Sequence, residues 1–183
     1  MTGASPGLYG ELFVDDAIGA LFDDAATLQA MLDVEAALAR AQAQIGVIPD
    51  TAAAPIAAEC DASLYDLGAI GRAATLAGNP AIPLVKALTA RVAAADAEAA
   101  KWVHHGATSQ DIVDSAAAWQ YRAAQDLLAA RVGRLGAALA ALIATHRRTP
   151  MIGRTFLQHA VPISFGVKLA QWLDPLPAWE TTL

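Results

Sequence analysis

Residues 111–145 read DIVDSAAAWQYRAAQDLLAARVGRLGAALAALIAT, a long run without proline. Its apolar residues, together with many alanines, cover more than one narrow stripe of a helix, so the helix needs neighbours on several sides. The run therefore predicts one α-helix of about 50 Å, at about 1.5 Å per residue. Such a helix is longer than a compact domain of this size is wide, and the chain offers few partners of similar length. We expect it to enter a bundle built from several copies of the chain.

Shorter helices are predicted before this run. Met31, Leu38 and Ile45 repeat every seven residues, which predicts a helix over 24–45. Gly46 follows as a left-handed cap and ends it. The residues ahead of this helix, 1–22, lack a clean period and predict an arm. We expect four apolar side chains of the arm to dock onto the core, namely Leu12, Phe13, Leu21 and Phe22.

Prolines and glycines punctuate the next segment. A helix is predicted from Asp50, and Pro55 should distort or split it because proline has no N–H to donate. Another helix is predicted over 63–77, and Pro83 is suited to the first position of the one after it.

The segment that follows the long run contains three breakers, Pro150, Gly153 and Pro162. It predicts an extended loop over 147–163 that leads into a helix over 164–173. No pair of strands is predicted anywhere, so the fold class is all-α. We predict an N-terminal helical domain over 1–106 and the beginning of a central helical bundle over 107–183.

Composition narrows the class of protein. The 183 residues are 56% hydrophobic and 16% charged, which is enough apolar material for a packed core and excludes a disordered chain. The net charge is −6 and no cluster of Lys and Arg is present, which argues against binding to nucleic acid or to anionic lipid.

The sequence also indicates the cellular compartment of the protein. Cys60 is alone and cannot form an internal disulfide, and no His/Cys pair has zinc-ligand spacing. The N-terminus lacks the basic and apolar regions of a secretory signal. Uninterrupted apolar runs such as 135–145 are shorter than the roughly 18 to 20 residues that span a bilayer. We expect a soluble cytoplasmic protein.

The first stretch with chemical potential is HHGATSQDIVDSA, residues 104–116. Thr108 and Asp111 have the spacing of a capping box, which would satisfy free N–H groups at the start of the long helix. The same helix end can bind an anion through its N–H groups and the side chains of Thr108, Ser109 and Gln110. His104 precedes the Gly106 turn and could exchange a proton there. Its neighbour, His105, is an equal candidate for the inward position.

A second cluster lies in GRTFLQHAVPISFG, residues 153–166. Arg154 could clamp a carboxylate bidentately, and Thr155 and Gln158 could donate hydrogen bonds to it. The alternative is an ordinary surface loop whose polar groups bind its own backbone. The interleaved apolar residues Phe156, Leu157 and Val161 indicate a packed segment.

The third candidate segment is GNPAIPLVKAL, residues 78–88, where Asn79 and Lys86 are the polar candidates. Helix punctuation explains its glycine and prolines, so the segment indicates little by itself.

Together these segments resemble the fumarase, aspartase and adenylosuccinate lyase superfamily. HHGATSQDIVDSA resembles its first shared region and GRTFLQHAVPISFG its second. GNPAIPLVKAL and the N-terminal LFDDAATLQAMLDVEAALARAQAQIGVIP, residues 21–49, resemble the cycloisomerase branch, which closes a γ-lactone from a carboxymuconate. The lyases of the superfamily usually carry a histidine where this chain has Phe156, and the cycloisomerases carry an aromatic residue there.

The resemblance implies a homotetramer whose sites are each assembled from several subunits, with a small polycarboxylate as substrate and no metal or organic cofactor. Ser109 and His104 would be catalytic. Six residues would bind substrate: Thr108, Gln110, Arg154, Thr155, Gln158 and Asn79. His159 is a further proton carrier to consider.

One departure from the family affects activity. The third shared region, a mobile loop of the Ser-Ser-x-Met-Pro-x-Lys-x-Asn type, does not occur in these 183 residues. We therefore expect the chain to be an N-terminal piece of a longer enzyme and to be inactive alone. The alternatives are another lyase of the superfamily, of adenylosuccinate or argininosuccinate type, and a helical association module without catalysis.

Overall fold

The computed structural model describes residue 12 and residues 15–178. The contacts within the chain define two compact units, one extending to Ala123 and the other beginning at Ala124. The longest helix contributes to both. These compact units are not the same as the two predicted domains, and the domain boundary after residue 106 stays a prediction.

Seven helices and one strand pair are described. The helices are α1 (Asp16–Gly19), α2 (Asp24–Gln44), α3 (Asp50–Ala58), α4 (Leu67–Ala77), α5 (Ala81–Ala95), α6 (Ser109–Thr145) and α7 (Phe165–Leu173). Two short 3₁₀ helices, Ala62–Leu64 and Ala99–Trp102, connect them. The strands are β1 (Pro150–Thr155) and β2 (Gln158–Ser164). The all-α class is confirmed, since the two strands are a small exception in a helical chain.

Local sequence signals account for most helix ends. Asp23 caps α2 by accepting the N–H of Ala26 at 2.7 Å, and Gly46 follows the helix with a φ of +72°. Gly78 ends α4 in the left-handed region as well. The Ser164 side chain caps α7 by accepting the N–H of Val167. The helices expected over 24–45 and 164–173 are therefore confirmed.

Two expectations about the N-terminal half, a helix split at Pro55 and the docking of Leu12, were wrong. Pro55 lies inside α3, which continues through it to Ala58. Leu12 is exposed and does not dock, whereas Leu21 is half-buried and Phe22 packs its ring against Tyr121 at a centroid distance of 5.6 Å. Phe13 lies outside the described residues.

The core of the first unit is formed by α2, α3, α5 and the beginning of α6. Its fully buried apolar side chains are Leu32, Ile56, Leu84, Leu88, Val92 and Ile112. Ile112 and Ala116 lie one helical turn apart, so the first turns of α6 face this core. One charged residue, Glu35, is buried among them.

The segment after α6 forms an antiparallel hairpin, so the expected loop without strand pairing was wrong. Pro150 pairs with Ser164 and Thr155 pairs with Gln158, and the register is irregular between Ile152 and Arg154. In a two-stranded ribbon both strands are edges, so a proline can direct its missing donor outward. The connecting loop is Phe156–Leu157, with Leu157 at a φ of +57°, and it lacks the Asn-Gly or Asp-Gly that usually marks such a turn.

The long helix α6 has 37 residues, about 55 Å at about 1.5 Å per residue. An 18-residue stretch of it has a mean hydropathy of 1.7 and is 6% buried, which by length and composition would be enough to cross a membrane. The uninterrupted apolar run 135–145 is shorter than this stretch, so counting uninterrupted runs did not find it. A core helix of a soluble protein passes the same test, and the absence of a membrane partner stays a prediction.

Candidate active site

A tight turn joins the 3₁₀ helix Ala99–Trp102 to α6. Its closing hydrogen bond runs from the N–H of Ala107 to the carbonyl of His104 at 3.4 Å. His104 has a φ of +57° and Gly106 a φ of +71°, so two of these residues occupy the left-handed region. Histidine adopts that conformation rarely and at a cost of about 1 kcal/mol, which the surrounding contacts must offset.

His104 is the inward histidine of the pair. Its Nδ1 lies 2.6 Å from Oε1 of Glu35, whose side chain is 0% exposed, and the histidine side chain itself is 18% exposed. His105 instead packs its ring edge against Trp102, and its carbonyl accepts a hydrogen bond from Nε2 of Gln42 at 2.7 Å. The choice that the sequence left open between the two histidines is thus decided by packing.

Burial raises the pKa of Glu35 above its ordinary value, and the hydrogen bond and charge of His104 oppose that rise. Oε2 of Glu35 is buried and has no hydrogen-bond partner within the described part of the chain. A carboxylate is rarely buried without a partner that stabilises its charge. His104 is the ionisable partner that this carboxylate has.

The beginning of α6 has the expected cap. The carboxylate of Asp111 accepts the backbone N–H of Thr108 at 2.9 Å, which is the acidic half of a capping box. Ser109 is the first residue of the helix and is half-buried. The amide of Gln110 donates to Asp114 at 2.7 Å, one turn along the helix. This N–H of Gln110 is therefore engaged within the helix, and the predicted role of Gln110 in substrate binding stays a prediction.

Asn79 also serves a helix end. Its side-chain oxygen accepts the backbone N–H of Ala81 at 2.8 Å, at the beginning of α5. Lys86 lies further along that helix and lines a surface cavity of about 330 Å³ with Leu76 and Ile82. These contacts give Asn79 a structural role, and its predicted role in substrate binding stays a prediction.

The second predicted cluster lies near the tip of the hairpin. Arg154 is opposite His159, and Thr155 is opposite Gln158, so the four polar residues form two adjacent cross-strand pairs. All four are exposed. The side chains of Phe156 and Leu157 are 89% and 90% exposed and Val161 is exposed too, so the expectation that they are packed within this chain was wrong.

The predicted residues therefore fall into two groups. Five of them belong to the first unit, namely Asn79, His104, Thr108, Ser109 and Gln110, and three belong to the second, namely Arg154, Thr155 and Gln158. A second surface cavity, of about 410 Å³, lies between Glu59, Arg91 and three alanines. Neither cavity is lined by a predicted site residue.

Glu35 was missed by the sequence reasoning, although a signal for it was present. It lies four residues after Met31 and three before Leu38, on the apolar face of the predicted helix. An acid at a core-facing position requires a buried partner, and four histidines were available as candidates. Which of them is the partner could not be read from the spacing.

Residues 13–181 match the protein family described as Lyase, and the chain belongs to that family. A 3-carboxy-cis,cis-muconate cycloisomerase from Bradyrhizobium diazoefficiens is 53% identical over 96% of this chain. A nitrosuccinate lyase from Streptomyces davaonensis is 47% identical over 91% of it. The crystal structure of the 3-carboxy-cis,cis-muconate lactonizing enzyme from Pseudomonas putida superimposes with a TM-score of 0.92, at 46% identity over 96% of this chain.

The chain spans only part of the length of these relatives. It covers 39% of the Bradyrhizobium protein, 35% of the Streptomyces protein and 40% of the Pseudomonas chain.

Proposed function

We propose that this chain is part of a cycloisomerase that converts 3-carboxy-cis,cis-muconate into a carboxymuconolactone, in the breakdown of protocatechuate through β-ketoadipate. The observation that carries the proposal is the 53% identity, over nearly the whole chain, to a protein of that name. The chain also has the aromatic Phe156 that the cycloisomerase branch carries.

The reaction asks for stabilisation of negative charge and for one proton transfer. A carboxylate oxygen of the substrate attacks one carbon of a double bond and forms the ring C–O bond. The electron pair of that double bond moves onto the other carbon, next to a carboxylate, which gives an enolate-like species. Donors that already point at this charge lower the barrier. The carbon then takes a proton from an acid on the enzyme.

The beginning of α6 is suited to the charge. The helix end contributes N–H groups and a partial positive charge, and the hydroxyls of Thr108 and Ser109 add donors. Asp111 already accepts the Thr108 N–H at 2.9 Å, so the substrate would use the groups that remain. His104 precedes this helix end by five residues and is the group we assign to orient the substrate or protonate it.

The hairpin tip is suited to the other carboxylates of the substrate. Arg154, Thr155 and Gln158 are adjacent and exposed on the second unit. We propose that they act in a site that is shared between subunits, with the α6 terminus of one copy and the hairpin of another. Exposed apolar residues at the tip, Phe156 and Leu157, support burial against a neighbouring copy.

The surface of α6 supports a homo-oligomer, which we propose to be a tetramer in the cytoplasm. Tyr121, Leu128, Leu135 and Leu142 are exposed and occur every seven residues. Residues at that spacing lie on one face of a helix, so they form a continuous apolar stripe.

The proposal is tested in the full-length protein that contains this sequence. We expect Ser109→Ala and His104→Ala each to lower turnover of 3-carboxymuconate about tenfold or more, because each removes a group that acts in the transition state. Ser115→Ala is the matched control, since Ser115 is an exposed serine of the same helix. Full turnover in both variants would contradict the site, and absence of lactonisation in the unaltered protein would contradict the function.

A second candidate function is elimination from a succinate derivative, which the 47% identity to a nitrosuccinate lyase favours. A substrate panel that includes nitrosuccinate, adenylosuccinate, argininosuccinate and 3-carboxymuconate separates the two functions. We expect the 183-residue chain alone to turn over none of them appreciably and to behave as a helical association module. Robust activity of the isolated chain would contradict that expectation.

A further inference from the structure

Glu35 occupies a position where a charge is costly. Its side chain is 0% exposed in the middle of α2, among apolar neighbours. An apolar residue of similar volume at such a position often gives equal or greater stability than a buried ion pair. Stability alone therefore does not account for the presence of this acid, whereas its contact with His104 offers a functional reason.

The contact holds the imidazole ring from one side. Nδ1 of His104 is 2.6 Å from Oε1 of Glu35, a distance typical of a charge-assisted hydrogen bond. The backbone of His104 is held separately, by the turn that brings its φ to +57°. With Nδ1 engaged by a buried acid, Nε2 is the ring nitrogen left to meet a substrate.

We propose that Glu35 is a positioning residue for His104, whose carboxylate accepts the Nδ1 proton and thereby makes Nε2 the atom that exchanges a proton with the substrate. This inference deepens the proposed function and rests on it for the identity of the substrate. Glu35 itself touches no reacting atom.

The proton balance follows from the pair. A neutral imidazole has one N–H, so when Nδ1 donates it to Glu35, Nε2 carries a lone pair and acts as a base. When Nε2 takes a second proton from solvent, the imidazolium lies beside the carboxylate and Nε2 can donate that proton to carbon. Because burial raises the pKa of Glu35, the inner proton can also move to the carboxyl group, and Nε2 keeps its proton in either arrangement.

Other ionisable groups near the pair are accounted for. Burial raises the pKa of Cys60 to about 12, and the nearby charge of Glu35 raises it as well. Cys60 is therefore a neutral thiol at ordinary pH. Asp33 and Glu59 also raise the pKa of this thiol, and Arg40 lowers it. Glu59 itself forms an ion pair with Arg91 at 2.7 Å. His105 faces Trp102.

The first test is spectroscopic and needs no activity. In the ¹⁵N-labelled chain we expect the neutral His104 ring to carry its proton on Nδ1, with a proton resonance at low field. Glu35→Gln keeps an acceptor but removes the charge, so that resonance should move upfield. Glu35→Leu removes the acceptor as well, so the proton should shift toward Nε2. Glu59→Gln is the matched control, because it neutralises another paired carboxylate and should leave His104 unchanged.

The second test uses turnover by the full-length protein. Glu35→Gln should lower kcat about tenfold, leave KM within about twofold, and move the alkaline limb of the pH profile to lower pH, since the imidazolium that donates the proton loses its counter-charge. In a His104→Ala background the same substitution should have little further effect, because Glu35 acts through His104.

Each outcome is decisive. An Nδ1 resonance and a pH profile that stay the same in Glu35→Gln overturn the proposal, even if Glu35→Leu fails to fold. A loss of activity that is equally large in the His104→Ala background also overturns it. If the spectroscopic changes occur while the unaltered protein turns over no 3-carboxymuconate, the proposed function fails and the placing of the His104 proton by Glu35 stands.

Discussion

At the scale of single residues, burial determines the chemistry of Cys60. The residue follows α3, and its thiol donates a hydrogen bond to the carbonyl of Ile56 at 3.3 Å. Removal from water raises the pKa of the thiol from 9.0 to about 12. Because the thiolate is the reactive form, Cys60 is an inert part of the core.

Cys60 should therefore react slowly with a thiol reagent such as DTNB while the chain is folded. At pH 8 we expect a rate about a hundredfold or more below the rate in denaturant, since both access and ionisation are lost. The comparison with urea-unfolded chain supplies the control. Equal rates in the two states would contradict the burial of this side chain.

The same shift in the Cys60 pKa makes stability fall at alkaline pH. Between pH 9 and pH 12 the folded state keeps the thiol proton and the unfolded state loses it, so the free energy of unfolding decreases as pH rises. The contribution of this group is up to about 1.4 kcal/mol per pH unit. Tyr65, with a pKa raised to about 12, acts in the same direction. Cys60→Ala should remove the thiol contribution and leave a shallower decline in urea unfolding.

At the scale of elements, the hairpin requires a glycine at one position, whereas the long helix contains a glycine that could be replaced. A Cβ at Gly153 would lie 2.5 Å from the carbonyl oxygen of Val161, which belongs to the backbone of the paired strand. A Cβ at Gly133, in the middle of α6, would meet nothing within 4 Å. The close approach of β1 and β2 therefore depends on a glycine at 153, whereas α6 only loses helix propensity at 133.

The two positions allow one chemical change to be compared in two settings. Gly133→Ala should raise the free energy of unfolding by about 0.5–1 kcal/mol, because alanine has less backbone freedom to lose in a helix. Gly153→Ala should lower it by about 1–3 kcal/mol, because the strands must separate to admit the methyl group. Urea unfolding of both variants beside the unaltered chain measures the difference. A stabilising Gly153→Ala would contradict the hairpin register.

At the scale of the whole molecule, the apolar stripe on α6 is a surface that a single chain leaves exposed to solvent. Tyr121, Leu128, Leu135 and Leu142 are exposed along one helix face. A contiguous apolar surface of this kind usually marks an association site. This supports the prediction of self-association made from the length and composition of residues 111–145.

Sedimentation velocity should find the chain in an oligomer. Leu135→Gln should weaken the assembly about tenfold or more, because a buried leucine contributes about 1.5–3 kcal/mol. Ala137→Gln is the control on the opposite side of the helix, at another exposed position. A monodisperse, well-folded monomer at all concentrations would contradict this use of the stripe.

Sequence reasoning predicted the helices and the hairpin with unequal success. The ends of α2 and α7 were readable because Asp23, Gly46 and Ser164 act on backbone groups three or four residues away. The hairpin was missed because Phe156–Leu157 is not a recognisable turn, and because Pro150 and Pro162 argue against strands in general. Edge strands tolerate proline, and only the pairing shows that both strands are edges.

The sequence by itself determined the helical class, the long helix with its capped beginning, and the family motifs around Ser109 and Arg154, because those depend on local spacing. Tertiary structure alone decided that His104 and not His105 turns inward, and that Glu35 meets it from 69 positions away. Two residues so far apart in the chain meet only when α2 and the turn before α6 pack on a common core. No local rule of backbone or capping extends over that distance.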